Sequence, residues 1–170
     1  MALTVAEVDA LAPADYLARF GDVAEHSPWV AEAAARARPH GSREAMIAAF
    51  AAAVAAAPRD ARLALIRAHP DLAGRAARAG TMADDSKKEQ AGVGLDTLTD
   101  DEFARFESLN GAYRAKFGFP FIFAVKGATK HQILDAFEAR LPGAPEVEFE
   151  TALGQIARIF RFRIEDRVAP

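Results

Sequence analysis

Apolar residues recur every three or four positions along most of this chain, which is the spacing of one face of an α-helix. Phe149, Leu153, Ile156 and Phe160 form one such stripe, within a predicted helix over residues 146–167. Glycine, proline and hydroxyl residues interrupt the stripes where helices are expected to begin or end. The pattern predicts an all-α fold, a multi-helix bundle in a single domain over residues 1–170.

Three threonines, Thr4, Thr99 and Thr129, are each followed three residues later by Glu or Gln. This is the spacing of a capping box, in which two side chains satisfy free backbone N–H groups at the start of a helix. Ser27 before Pro28 predicts another start, with the serine as N-cap of a helix that ends near residue 38. The remaining predicted helices run over 14–20, from 42 to about 54, over 59–68, from 99 to about 117, and over 133–141.

Only residues 117–125 depart from helical spacing. Phenylalanines alternate with other residues there, which is typical of an extended chain, while Pro120 argues against a central strand of a sheet. We therefore predict a buried extended connection over about 117–125.

Composition and charge exclude several classes of function. A chain of 170 residues with a net charge of −3 has no basic surface for nucleic acid. No stretch approaches the roughly 20 apolar residues of a membrane span. The N-terminal residues lack the basic and apolar regions of a signal peptide, so a cytoplasmic location is expected.

The same composition argues against a metal centre. There is no cysteine, and the four histidines stand at no spacing that would bring two of them onto one helix face. We therefore expect no metal site. Thiolate chemistry is excluded as well.

Polar residues gather in two stretches, 69–75 and 86–92. His69 ends a predicted helix, where it either caps the last carbonyls or serves as an acid-base group. Ser86 and Glu89 have capping-box spacing, which by itself leaves open whether they cap a helix or form a site. Gln90 has no capping role.

Arg163 lies on or beside the apolar stripe of the last predicted helix. A guanidinium that faces a core needs an anion, because an unpaired buried charge is strongly unfavourable. The anion could be a buried carboxylate such as Glu89, Asp71 or Asp135. It could equally be a substrate carboxylate, which arginine binds with two parallel hydrogen bonds.

Four ordered motifs, at 69–75, 86–92, 109–122 and 124–126, resemble those of the 2-oxo-4-hydroxy-4-carboxy-5-ureidoimidazoline (OHCU) decarboxylases. These enzymes carry out the third reaction in the breakdown of urate to allantoin. The resemblance covers nearly the whole chain. Residues 91–95 depart from the family's spacing, which is expected to reshape a loop while leaving His69 and Glu89 in place.

The resemblance implies an all-α homodimer that uses neither a metal nor an organic cofactor and acts on OHCU, a small molecule. It also implies that His69 is the catalytic proton donor. On chemical grounds we expect Glu89 to be catalytic as well, by orienting the histidine or the substrate hydroxyl. The substrate contacts that the resemblance implies are Pro70, Ser86, Lys87, Lys88, Glu89, Gln90, Phe121, Ile122, Phe123, Ala124, Val125 and Arg163.

The chemistry of such a substrate fits these side chains. A C=N bond next to the carboxylate-bearing carbon can accept the electron pair that decarboxylation releases, so no external electron sink is needed. His69 would act as the acid-base group for the hydroxyl proton and would protonate one face of the intermediate, which gives (S)-allantoin. Glu89 would orient the histidine, Gln90 would bind the ureido edge, and Arg163 a carbonyl or ureido group.

Two other functions remain open. The helices could form a binding module without catalytic activity, in which His69 and Ser86 serve only as caps. Alternatively, the same site could belong to a related lyase that acts on another cyclic ureide. The first predicts no saturable turnover, and the second predicts faster turnover of a different ureide.

Overall fold

The computed structural model describes all residues from 1 to 170, and its regular structure is α-helical. None of the helices combines the length and the apolar character that crossing a membrane requires. The prediction of an all-α fold is confirmed. The ten helices are α1 (Val5–Ala10), α2 (Pro13–Phe20), α3 (Trp29–Ala35), α4 (Arg43–Ala56), α5 (Arg59–Ala68), α6 (Arg75–Ala79), α7 (Asp84–Gly92), α8 (Asp100–Phe117), α9 (Lys130–Arg140) and α10 (Pro145–Arg167).

Local capping signals account for most of the helix starts. All three predicted capping boxes are present, so Thr4, Thr99 and Thr129 each accept a hydrogen bond from the third helical residue. Ser42 caps α4 by accepting from the amide of Ala45 at 3.1 Å. α8 ends at a glycine with φ of 77°, a left-handed conformation that side chains with a Cβ disfavour.

The prediction for α3 was partly wrong. The Ser27 hydroxyl donates a hydrogen bond to the carbonyl of Glu25 at 2.8 Å, and the helix has no side-chain cap. The helix also ends at Ala35, about three residues earlier than predicted. The short helix α6 was not predicted, because five residues are too few to carry a hydrophobic period.

The chain forms two compact units, residues 1–68 with 157–170 and residues 69–156. In the first unit, α3 packs against both α2 and α4. Its fully buried side chains include Tyr16, Phe50 and Phe160, and the last two meet edge to face. A short backbone bridge in this unit joins Leu3 to Val168.

The second unit is built around a cluster of aromatic rings. Tyr113 of α8 contacts Phe119, Phe121 and Phe137, with Phe121 at a centroid distance of 5.4 Å. Phe121 in turn stacks on Phe137 of α9. The core of this unit therefore depends on the segment that follows α8.

That segment is the buried extended connection predicted from the sequence. It begins at Gly118, one residue after the end of α8, and no part of it up to Val125 is helical. Phe119, Phe121 and Ile122 are almost completely buried. The prediction of a buried connection is therefore confirmed, with a start one residue later than expected.

Candidate active site

The predicted catalytic histidine lies directly after α5. The helix ends at Ala68, and Pro70 disfavours helical geometry in the residue before it, so His69 begins a turn. Its side chain is only 5% exposed. Residues 69–74, called the His69 turn here, also contain Ala73 with φ of 52°. A positive φ is uncommon for alanine and requires support from the surrounding structure.

Gln90 of α7 supplies much of that support. Its Oε1 accepts a hydrogen bond from the amide of Ala73 at 2.8 Å, and its Nε2 donates to the carbonyl of Asp71 at 3.2 Å. Nε2 also lies 3.2 Å from the sulfur of Met82. A single buried amide thus binds the backbone of the His69 turn on both sides of Leu72.

α8 holds the same turn from another direction. The Nδ2 of Asn110 donates to the carbonyl of Leu72 at 2.8 Å. The Nε of Arg114 donates to the carboxylate of Asp71 at 2.8 Å. Both residues were missed as site residues in the sequence. The available signal was the position of Asn110, which interrupts the buried face of α8 between Phe106 and Tyr113.

α7 shows that the capping interpretation of Ser86 was wrong. The helix begins at Asp84 after Ala83, without a side-chain cap, so Ser86 is the third residue of the helix. Ser86 and Gln90 are buried and Glu89 is half-buried. The three share one helix face, because they are spaced by three and four residues.

Two other predicted substrate contacts on α7 differ from these three in burial. Lys87 and Lys88 are exposed, whereas Ser86 and Gln90 are buried. Of residues 91–95, which were expected to form a loop, the first two belong to α7, because this helix continues to Gly92. The amide of Leu95 then donates to the carbonyl of Gln90 at 3.0 Å and closes the helix end.

The extended connection contains the other predicted substrate contacts, and side chains also fix it in place. Arg140 donates to the carbonyl of Ile122 at 2.7 Å, and its guanidinium lies over the ring of Phe121. Glu148 holds Arg140 through a 2.9 Å ion pair. Ala124 donates its amide to the side-chain oxygen of Gln155 at 3.0 Å. The backbone N–H of Ala124 is therefore already used within the protein.

Burial raises the pKa of the Tyr113 hydroxyl well above its usual value, and the nearby carboxylate of Glu148 raises it further. The hydroxyl therefore stays protonated and donates to Glu148 at 2.7 Å. Glu148 thus binds both Arg140 and Tyr113. Through these two contacts, Glu148 links the extended connection, which Arg140 binds, to Tyr113 in the aromatic cluster.

Arg163 belongs to the first compact unit and is 3% exposed. Its Nη1 lies 2.9 Å from the carboxylate of Glu25 and 3.2 Å from the carbonyl of Val23. The prediction that an inward guanidinium needs an anion is confirmed. Glu25 supplies an anion to Arg163, and the carboxylates predicted from the sequence, Asp71, Glu89 and Asp135, did not include it. A contact of Arg163 with substrate remains a prediction.

A cleft of about 460 Å³ lies beside the His69 turn. Pro70 is the only predicted substrate contact that lines it. The charged side chains along the cleft form pairs: Arg75 with Glu107 at 3.0 Å and Arg114 with Asp71 at 2.8 Å. No group of three or more histidine or acidic side chains in the chain lies close enough together to hold a metal ion.

Comparison with known proteins places this chain in an enzyme class. The chain is 40% identical over 165 residues to the 2-oxo-4-hydroxy-4-carboxy-5-ureidoimidazoline decarboxylase of Haloferax volcanii, covering 97% of this chain and 96% of that one. The enzyme of the same name from Mus musculus is 34% identical, with 96% and 92% covered. The fold and these relatives define the chain as a carboxy-lyase, an enzyme that releases carbon dioxide from its substrate.

Residues 9–165 also match the family model described as OHCU decarboxylase. The chain belongs to the OHCU decarboxylase family. A crystal structure of (S)-allantoin synthase superimposes with a TM-score of 0.79 at 35% identity, covering 98% of this chain and 54% of that one. A structure of OHCU decarboxylase in the presence of (S)-allantoin has a TM-score of 0.67 at 21% identity, covering 85% of this chain and 93% of that one, and supports the fold alone.

Proposed function

We propose that this chain decarboxylates OHCU to (S)-allantoin in urate degradation, without a metal or an organic cofactor. The observation that carries the proposal is the buried imidazole of His69 at the start of a turn that Gln90 fixes. In a member of this family, such an imidazole is suited to transfer a proton at a defined place. The two relatives cited above carry the name of this activity.

The reaction requires little from the protein beyond orientation and proton transfer. The bond between the hydroxyl-bearing ring carbon and the carboxylate breaks, and carbon dioxide leaves. The electron pair forms a double bond to the neighbouring ureido-bearing carbon, and the nitrogen of the former C=N bond takes up a proton. His69 then accepts the hydroxyl proton, so that the hydroxyl becomes a carbonyl, and delivers a proton to one face of the ureido-bearing carbon. Because a buried imidazole cannot turn freely, protonation on one face gives one enantiomer.

Glu89 would keep His69 or the substrate hydroxyl in the required orientation. Ser86, on the same face of α7, would donate one hydrogen bond to the substrate. Gln90 would contact the ureido group by exchanging its contact with the sulfur of Met82, since a thioether is a weak acceptor and a ureido oxygen is a strong one. Its two bonds to the His69 turn would remain.

The extended connection would form an apolar wall of the site that excludes water. Phe121, Ile122, Phe123 and Val125 would exclude water from the ring, and their backbone amides would bind its carbonyl groups. Arg163 would bind a carbonyl or ureido group of the substrate. We assign Arg163 to these groups because tight binding of the leaving carboxylate would stabilise the ground state more than the transition state.

The enantiomeric excess of the product tests the proposed reaction. Purified protein with freshly generated OHCU should give saturable turnover and a circular dichroism signal of (S)-allantoin. The spontaneous reaction in water makes the mere appearance of allantoin uninformative. Racemic allantoin at the rate of the protein-free control would favour a binding module. Faster turnover of another cyclic ureide would favour a different lyase.

Glu89→Gln tests the second catalytic assignment. Because Glu89 lies within α7, past its first turn, and glutamine has nearly the same size and helix propensity, we expect the melting temperature to change little. We expect kcat to fall roughly ten-fold, the equivalent of one hydrogen bond to a charged group. Asp84→Asn, on the exposed first turn of α7, is the matched control. A lower melting temperature with unchanged kcat would make Glu89 a structural residue.

We further propose that the protein is cytoplasmic and forms a homodimer, the assembly that its resemblance to the family implies. Sedimentation equilibrium on the purified chain measures the mass directly. A mass near 36 kDa is about twice the 18.2 kDa of one chain and would support the dimer. A single species with the mass of one chain would contradict it.

A further inference from the structure

Asn110 is an unusual residue for its position. It lies on the buried face of α8 with only 5% of its surface exposed, between Phe106 and Tyr113, which are completely buried. Its Oδ1 is buried and has no hydrogen-bond partner. Burying an amide without satisfying both ends is unfavourable, and an apolar side chain would continue the stripe without that cost. The hydrogen bond made by the amide nitrogen of Asn110 must therefore bring a benefit that offsets this loss of stability.

That bond is made by Nδ2, and its chemistry fixes the orientation of the amide. A backbone carbonyl only accepts hydrogen bonds, so the NH₂ group of Asn110 must face the carbonyl of Leu72, at 2.8 Å. The opposite orientation would place two acceptors against each other. The unpartnered oxygen is thus a direct result of holding Leu72.

Leu72 is the central residue of three that the protein holds one after another. Gln90 binds the residues before and after it, Asp71 and Ala73. Ala73 has a left-handed backbone, which persists only when neighbouring contacts determine it. Without Asn110, the buried carbonyl at the centre of the turn would lose its bond to α8. The turn could then shift relative to α8.

We propose that Asn110 is a positioning residue that sets the place of the His69 imidazole by holding the carbonyl of Leu72. The inference rests on the proposed function, because it assigns Asn110 to the same proton transfer. Asn110 acts through the turn and not on the substrate. The neighbouring bond from Arg114 to Asp71 joins more exposed groups and holds the turn less firmly.

Asn110→Ala and Asn110→Leu test this role. The leucine keeps roughly the size of asparagine but has no group that can donate to the carbonyl of Leu72. We expect kcat to fall roughly 10- to 100-fold in both variants, since a displacement of about 1 Å in a catalytic group can cost that much. KM should stay within about two-fold, because uniform substrate binding is retained.

The matched control is Thr99→Ala, which removes the N-cap of α8 far from the turn. It weakens the same helix, so it separates destabilisation from positioning. The imidazole C–H resonance of His69, assigned by its loss in His69→Asn, supplies a second readout. We expect it to shift in Asn110→Ala and to stay in place in Thr99→Ala.

The outcomes separate the two proposals. An inactive wild-type protein would overturn the proposed function, whatever the variants do. An active wild type, with Asn110→Ala equal to Thr99→Ala in kcat and in the His69 resonance, would overturn only the positioning role. If Asn110→Ala does not fold, Asn110→Leu decides, because it roughly preserves the volume of the core. A normal kcat in a folded Asn110→Leu would likewise overturn the role.

Discussion

His69→Asn is expected to lose roughly 100-fold or more of kcat, the usual scale of general acid-base help. Asparagine can still donate a hydrogen bond but cannot exchange a proton near neutral pH. Because α5 ends before His69, the change removes no residue from the helix. The melting temperature should stay within roughly 4 °C, which corresponds to about 1 kcal/mol for a chain of this size.

His131→Asn is the matched control, since this histidine is exposed in the first turn of α9. The enantiomeric excess of allantoin should collapse in His69→Asn and persist in the control. Near-normal turnover in His69→Asn would remove the imidazole from the mechanism. Loss of the folded state without a specific loss of kcat would restore the interpretation of His69 as a helix cap.

Arg163→Met should have the largest effect on stability of any variant considered. It leaves the carboxylate of Glu25, 2% exposed, in the core without the guanidinium that faces it. Breaking a buried ion pair from one side costs about 3–5 kcal/mol, because the remaining charge is uncompensated. Urea denaturation followed by circular dichroism measures the loss. A second change, Glu25→Gln, should restore part of the stability by removing that charge.

Arg161→Met provides the control on the same helix. Arg161 pairs with Glu44, but both side chains are well exposed, so its loss should change stability far less than Arg163→Met does. The kinetics of Arg163→Met decide the second role of this residue. A raised KM in the folded fraction would support a substrate contact. An unchanged KM would leave Arg163 with the ion pair alone.

Several features of the fold follow from short stretches of sequence. The capping boxes at Thr4, Thr99 and Thr129 form as predicted, because each needs only residues within one helical turn. The buried connection after α8 was also predictable, since its phenylalanines and Pro120 leave few other arrangements. These signals are local, so no tertiary contact is needed to interpret them.

The site depends on contacts that no local pattern contains. Ser86 and Glu89 have capping spacing, yet α7 begins at Asp84, so the spacing alone misleads. The inward position of Arg163 was predictable, whereas its partner Glu25 lies 138 residues away. Asn110 was missed because a single amide in an apolar stripe looks like an ordinary interruption until its partner is known.

The contacts of the His69 turn determine at which stage of folding enzymatic activity appears. The bonds that shape it join residues 17, 19 and 38 positions apart, on α7 and α8. Helices can form within microseconds from their own sequence, whereas distant segments must first lose the entropy of loop closure before they meet. A chain with its full helix content but with α8 undocked would therefore be inert. Activity in this protein is a property of long-range assembly, and a refolding chain would recover it only after its helix content.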